Sequence, residues 1–310
     1  MKVHQNLTNL PILSFAVVTS GTFDGVHIGH QKILTHLTQI ATQNNGQSVV
    51  ITFYPHPRNI INQNQTEIKE LTTLDEKIDK LEKLGIDHLL ILPFTPEFSQ
   101  ISPDEFVQKI YIDALNTKKL VIGYDHRFGK DRAGGLEYLL KNNHQYSFTI
   151  DEIPKHDLEN NTISSTKIRN ALAESNIKIA NQYLGNEYEL RGKIVNGDKI
   201  GRTIGFPTAN VSLSHESKLI PADAIYAVKI MLKNKFYQGM MYIGNRPTLS
   251  GNLEKRIEVN IFDFQEDVYG ENISVFLVDK IRGDEKFDTL EKMKIQLKND
   301  EIKAKQILLE

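Results

Sequence analysis

The residues most suited to chemistry near the start of the chain are Gly21-Thr22-Phe23-Asp24-Gly25-Val26-His27-Ile28-Gly29-His30. This decapeptide follows an apolar run and leads into a helix-like stretch. Glycines at positions 21, 25 and 29 let the backbone approach a bulky anion. A helix start adds unpaired N–H groups and a partial positive charge. His27 and His30 share one side of a helical first turn. Imidazoles there can donate to triphosphate oxygens and stabilise charge developing on a transferred phosphorus. Gly21 and Gly29 are accordingly candidates for holding a nucleotide, and His27 and His30 are the candidate catalytic pair. The competing reading is a strand-to-helix turn whose histidines only cap the helix. A metal site is disfavoured, because no Cys and no nearby carboxylate pair completes a ligand set.

A second constellation is Gly197-Asp198-Lys199-Ile200-Gly201-Arg202-Thr203-Ile204-Gly205-Phe206-Pro207-Thr208-Ala209-Asn210. Glycines at 197, 201 and 205 suit a loop folded over a phosphate chain, with N–H groups aimed at anions. Thr208 and Asn210 share a face of the strand expected there. Their hydroxyl and amide oxygens are hard donors suited to Mg²⁺. Further on, Arg256-Ile257-Glu258-Val259-Asn260-Ile261-Phe262 alternates, so Glu258 and Asn260 face away from Ile257, Val259 and Ile261. A carboxylate held on a strand can take a proton from a substrate hydroxyl. A plain barrel loop and a solvated strand glutamate remain alternatives here.

Other familiar nucleotide motifs are missing. Gly123-Tyr124-Asp125-His126-Arg127-Phe128-Gly129-Lys130 is followed by Asp131 rather than Ser or Thr, so it is not a Walker A loop. No Gly-x-Gly-x-x-Gly occurs, which removes support for hydride transfer on a dinucleotide. Asp125 to Arg132 could be a solvated charged loop. Phe53-Tyr54-Pro55-His56-Pro57 could be a simple strand exit. Ser164-Ser165-Thr166 could be a helix N-cap.

The elements that must position these groups fall into two patterns. Phe15–Thr19, Ser48–Phe53, His88–Phe94, Lys118–Tyr124 and Ser147–Ile153 read as strands. Helix-like stretches alternate with them at Lys32–Thr42, Thr73–Lys83 and Ser102–Leu115. The last two open with capping-box spacing, and Pro103 sits at a first helical position. This alternation predicts an α/β unit with a parallel sheet, whose ligands bind at the carboxyl ends of the strands. Beyond about residue 184, Tyr188–Asn196, Phe206–Leu213, Tyr226–Leu232, Phe236–Ile243, Arg256–Phe264 and Asn272–Arg282 read as strands without intervening helices. They predict an all-β antiparallel barrel or sandwich. Lys233-Asn234-Lys235 reads as a hairpin turn, and Phe287–Leu309 returns to helical spacing through Leu290, Met293, Leu297, Ile302 and Ile307. The expected boundary is Leu184-Gly185-Asn186, giving domains 1–184 and 185–310.

Composition narrows the function classes. The 310 residues suit roughly two domains. The net charge of -2 gives no general attraction to nucleic acid or to an anionic membrane. With no cysteine, thiol nucleophiles, Fe–S clusters, thiolate metal sites and disulfides are excluded. Leu10–Thr19 is too short to span a bilayer and runs straight into the glycine motif, so it reads as a strand. A cytoplasmic location is expected. Oligomeric state is not legible.

Taken together, the motifs resemble the bacterial bifunctional riboflavin kinase/FAD synthetases. The decapeptide resembles the HxGH-type motif of the nucleotidyltransferase superfamily. Phe53–Pro57, Gly123–Gly129 with Arg132 and Gly134, and Ser164-Ser165-Thr166-Lys167-Ile168-Arg169 follow in the order of the adenylyltransferase half. In the kinase half, Gly205–Asn210 matches the Gly-Phe-Pro-Thr-Ala-Asn signature. Gly244-Asn245-Arg246-Pro247-Thr248, the Glu258 strand with Phe262-Asp263-Phe264, Tyr269-Gly270, Ile281-Arg282 and Lys286-Phe287 then follow. Tyr242 departs from the family, where many relatives carry Asn. The resemblance implies a Rossmann-like nucleotidyltransferase domain and a six-stranded riboflavin kinase-like barrel with a C-terminal helix. It implies ATP as co-substrate at two sites, Mg²⁺ at Thr208 and Asn210, and Glu258 as catalytic base. It also implies that His27, His30 and Arg132 act in adenylyl transfer. Phe23 and Asp24 within the decapeptide, and Asp125, Ser164, Ser165, Thr166, Arg169, Gly197, Gly201, Gly205 and Pro207, would contact the nucleotides. The small-molecule partners would be riboflavin, FMN and ATP. A class I aminoacyl-tRNA synthetase shares the His-x-Gly-His logic, but the chain has no evident basic RNA-binding tract. A non-enzymatic flavin binder would have no need of Glu258 and Thr208.

Overall fold

The structure is a computed structural model. It describes residues 1–8, 10–61, 67–153, 163–197, 201, 205–247 and 253–309. Asp198, Lys199, Ile200, Arg202, Thr203, Ile204 and Thr248, named above, lie outside the described residues. The chain divides into two compact units, Met1–Ser164 and Ser165–Glu310.

The first unit is built on a six-stranded parallel sheet ordered β1-β4-β3-β2-β5-β6. Its strands are β1 (Lys2–His4), β2 (Ala16–Ser20), β3 (Gln47–Tyr54), β4 (His88–Pro93), β5 (Thr117–Gly123) and β6 (Thr149–Ile153). A parallel sheet covered on both faces needs nearly continuous apolar strands. Here Val17, Val50, Leu89 and Val121 point into one core, while Ala16, Val18, Ile51, Leu90 and Ile122 point into the other. Helix α1 (Ile28–Gln43) covers the first face through Leu34, Leu37, Ile40 and Ala41. It begins at Ile28 rather than at Lys32, so His30 lies in its first turn. Helix α2 (Pro57–Ile61) follows β3, and α3 (Leu74–Lys83) opens on a capping box between Thr73 and Glu76. Helix α4 (Pro103–Phe106) opens on a second box, between Ser102 and Glu105. The expected single helix over Ser102–Leu115 continues instead as a π-helical run, Val107–Ala114, where the Leu115 N–H reaches back to the Ile110 carbonyl. Helix α5 (Leu136–Asn142) precedes β6. Since β2 has β3 on one side and β5 on the other, the winding reverses between β2 and β5. The crevice at a reversal of this kind is where open α/β sheets bind ligands.

In the second unit six antiparallel strands close a barrel in the order β10-β11-β8-β7-β12-β9. They are β7 (Tyr188–Val195), β8 (Ala209–Leu213), β9 (Ala224–Leu232), β10 (Lys235–Pro247), β11 (Leu253–Ile261) and β12 (Asn272–Gly283). The expected turn between β9 and β10 is present, with Lys233 and Asn234 at φ 49° and 60°. Two left-handed residues match the right-handed twist of a hairpin. Helices α6 (Ser165–Ala173) and α7 (Ile177–Leu184) pack with the barrel. The Leu172 carbonyl accepts from the Ala222 N–H, and the Asn181 amide bonds both the Leu277 carbonyl and the Tyr188 N–H. The break in contacts therefore precedes α6, while Gly185 caps α7 with φ 75°. The C-terminal helix α8 (Leu290–Leu309) covers one barrel face through Ala304 and Leu308. Its buried Asp300 receives a bidentate Arg282 at 3.0 and 2.9 Å.

Candidate active sites

In the first unit, β2 leads into a loop with Phe23, Gly25 and Val26 at φ 46°, 84° and 44°. Left-handed backbone at Phe and Val persists only when its surroundings over-determine it. Asp24 supplies part of that constraint: it is 2% exposed and its Oδ1 accepts from the N–H groups of Leu71 and Thr72. The Gly25 N–H donates to Thr72 Oγ1, Gln31 Nε2 to the Val26 carbonyl, and Lys77 Nζ to the Thr22 carbonyl at 2.7 Å. Phe23 is buried, with its ring edge against the His30 ring. Asp24 and Phe23 thus brace the loop from within. Lys77 and Thr72 had no motif to announce them.

His27 is the N-cap of α1, and its Nδ1 accepts from the His30 N–H at 3.3 Å. The two rings stack with centroids 3.6 Å apart. A Cβ on Gly29 would stand 3.3 Å from the His27 ring, which explains a glycine between the histidines. Burial, opposed by Asp24, pushes the His27 imidazole down to about 4. Burial, then His27 and Lys77, holds His30 well below its ordinary value. Both rings are therefore neutral at neutral pH in the free protein, and among the described residues His30 Nδ1 is buried without a hydrogen-bond partner. Gly21 donates its N–H to the Ile51 carbonyl, at the open end of the sheet.

The loop after β5 folds back through a bridge between Phe128 and Gly134, leaving Asp125 and Arg132 exposed. His126 Nε2 lies 2.9 Å from Ser20 Oγ, which lies 2.8 Å from the Tyr111 hydroxyl. This chain joins the ends of β2 and β5 to the π-helical run. Ser164 closes the first unit, while Ser165, Thr166 and Arg169 stand in the opening turns of α6 in the second.

In the barrel, Asn210 and Glu258 are register partners across β8 and β11. Thr208 Oγ1 donates to Glu258 Oε2 at 3.1 Å. Gly197 lies directly under the Asn210 amide, since a Cβ there would meet Asn210 Nδ2 at 1.9 Å. The Gly201 carbonyl accepts from the Phe206 N–H at 2.9 Å. The barrel thus gathers Gly197, Thr208, Asn210 and Glu258 at one place, with Gly201 near Thr208. Tyr242 pairs in register with Glu258 on its other side. Its hydroxyl donates to Asp284 Oδ2 at 3.3 Å, and burial, then Asp284, pushes the phenol up to about 12. Among the described residues no group of three His, Cys, Asp or Glu side chains could hold a metal ion. No described helix is long and apolar enough to cross a membrane.

The FAD synthetase family profile matches residues 11–167, and the riboflavin kinase profile matches residues 184–308. A bifunctional riboflavin kinase/FMN adenylyltransferase of Buchnera aphidicola subsp. Schizaphis graminum is 40% identical over 97% of this chain and 96% of its own length. The protein of that name from Listeria monocytogenes is 39% identical over 92% of this chain and 90% of its own. A solved structure titled a macrolide-efflux protein, from Streptococcus pneumoniae, is 34% identical, covers 98% of both chains and superposes with a TM-score of 0.88.

Proposed function

Because the chain belongs to the bifunctional riboflavin kinase/FMN adenylyltransferase family, we propose that it converts riboflavin to FMN in its barrel and FMN to FAD in its parallel-sheet unit. The first activity is assigned to residues 185–310 and the second to residues 1–184, the last stretch of which, Ser165–Leu184, belongs to the compact unit of the barrel, with ATP consumed in each. The observation that carries the kinase half is the meeting of Glu258, Thr208 and Asn210 beside Gly197.

In the kinase reaction the riboflavin 5′-hydroxyl attacks the γ-phosphorus of ATP and ADP leaves. Glu258 takes the hydroxyl proton. The Gly197–Gly205 segment holds the phosphates, so the protein acts mainly by positioning and electrostatics. The donor set fits Mg²⁺: a hydroxyl, an amide and a carboxylate are hard oxygens, and glycine at 197 leaves the Asn210 amide its space. Thr208 and Asn210 would hold the ion with ATP. When bound, Mg²⁺ neutralises charge on the phosphates.

In the second reaction a phosphate oxygen of FMN attacks the α-phosphorus of ATP and pyrophosphate leaves. That phosphate is already anionic near neutral pH, with a second pKa of about 6, so no base is required. Neutral His27 and His30 serve as hydrogen-bond donors to the triphosphate rather than as cations. The start of α1 and Arg132 add positive potential. The working location in this reading is the cytoplasm.

Chromatography of products formed over time from riboflavin, ATP and Mg²⁺ tests the assignment. FMN should appear first and FAD second. Amino-acid-dependent rather than flavin-dependent exchange of pyrophosphate into ATP would replace it with a synthetase reading. Flavin binding without turnover would reduce the chain to a binding protein.

A further inference from the structure

The ladder between β8 and β11 is short: Glu258 pairs with Asn210 and Val259 with Ala209. The next antiparallel step would set Asn260 against Thr208, and there the ladder stops. Pro207, just beyond, has no N–H to extend it. A side chain takes over at this point. Asn260 Nδ2 donates to the Pro207 carbonyl at 2.7 Å. Asn260 is itself 8% exposed, and its backbone is fixed from the other side by pairing with Met240 in β10. Only the NH₂ end of the amide can make this bond, since a carbonyl oxygen accepts and cannot donate.

The consequence falls on Thr208. On one side the chain is pinned by Asn260 at Pro207, and on the other by the Ala209 and Asn210 ladder. Between these points Thr208 Oγ1 reaches Glu258 at 3.1 Å. Glu258 and Asn260 lie two residues apart on one strand, so they face the same side. One rigid strand thus carries the carboxylate and the clamp that aims the hydroxyl at it.

We propose that Asn260 is a positioning residue for phosphoryl transfer in the barrel, holding Pro207 so that Thr208 and Glu258 keep their working separation. This rests on the riboflavin kinase reading. Asn260 acts through Pro207 and Thr208 and has no contact with reacting atoms in this role. Misplacement of reacting groups by about 1 Å can cost on the order of 10²-fold in rate.

The test uses the full chain with Asn260→Asp, which keeps the shape but sets an oxygen against the Pro207 carbonyl, and with Asn260→Ala, which deletes the donor without adding charge. FMN formation is followed with riboflavin, ATP and Mg²⁺ varied, and FAD formation from supplied FMN is the internal control. Both variants should lower kcat for FMN formation about 10-fold or more. The KM for riboflavin should stay within about twofold, and FAD formation from FMN should be unchanged. The Asn260→Asp rate, taken as a ratio to the parent at each pH, should rise as pH falls, because a protonated carboxyl again donates to Pro207. Parent-like kcat in both variants overturns the inference. Equal loss of both activities with a lowered unfolding midpoint also overturns it, in favour of a purely structural residue. A parent chain that makes no FMN sinks the kinase reading and this role with it. An active parent with unimpaired variants sinks this role alone.

Discussion

Glu258 on β11 stands directly across from Asn210 on β8, and the Thr208 hydroxyl reaches the same carboxylate at 3.1 Å. The proton acceptor and Asn210 are therefore fixed by paired strands, whereas Thr208 lies just before β8, which starts at Ala209 rather than at the expected Phe206. Glu258→Ala should lower FMN formation by a factor of roughly 10² or more, as expected for loss of a general base. FAD formation from supplied FMN should persist. Unchanged FMN production would remove Glu258 from the mechanism.

The adenylylating unit should fail separately. His27 and His30 stack at 3.6 Å at the start of α1. Replacing both with Ala removes the donors that the proposed mechanism assigns to the triphosphate. FAD formation should be abolished while FMN formation continues near the parent rate. Assaying the two products in one reaction mixture checks this, and parallel loss of both would show that the units do not work as separable modules.

The legible part of the molecule is the part encoded locally. Apolar runs marked five strands of the parallel sheet and six of the barrel, because burial on a sheet demands them. Both expected capping boxes are present, since Thr73 with Glu76 and Ser102 with Glu105 need only three-residue spacing. Strand β1 was illegible: three residues at a sheet edge carry no period. Helix α8 shows the other limit. Its apolar spacing points to Leu290 and Ile302, yet these are 60% and 50% exposed, whereas Asp300, Ala304 and Leu308 face inward. The partner that draws Asp300 in is Arg282 on β12, and no helical pattern can announce a partner on a strand.

The same distinction holds for the sites. Histidine spacing, the Gly-Phe-Pro-Thr-Ala-Asn segment and Glu258 were visible as motifs. The inward task of Asp24 was not, because its partners Leu71 and Thr72 lie far along the chain. Lys77 likewise reaches Thr22 across a sequence separation of 55 residues.

Gly197 supplies a steric prediction. A methyl group there would overlap Asn210 Nδ2, at 1.9 Å from the ideal Cβ position. Gly197→Ala should displace the Asn210 amide and leave the barrel folded, because the collision involves a side-chain terminus. FMN formation should fall about 10-fold or more, with a higher Mg²⁺ requirement if Asn210 holds the ion. A Mg²⁺ titration of the kinase rate reads both effects. A parent-like titration would detach Asn210 from metal binding.

Acid should weaken the adenylylating unit through its own imidazoles. Burial holds His27 at about 4 and His30 well below the ordinary 6.5. Well above pH 6.5, by about pH 7.5, both are essentially neutral whether the chain is folded or unfolded, and their contribution to stability is fully present. As pH falls from there toward about 4, the unfolded chain binds protons that the folded chain refuses, so stability drops. For His27 alone the loss amounts to roughly 3 kcal/mol once pH has passed its folded value. His126, also pushed down to about 4 by burial, adds a similar trend. Thermal unfolding of the parent and of the His27→Ala/His30→Ala chain, compared from about pH 7.5 to pH 4.5 at one ionic strength, isolates the pair. The double variant should lose less of its midpoint on acidification. Parallel curves would mean that the two rings are as well solvated folded as unfolded, and the neutral-donor mechanism assigned to them would fail.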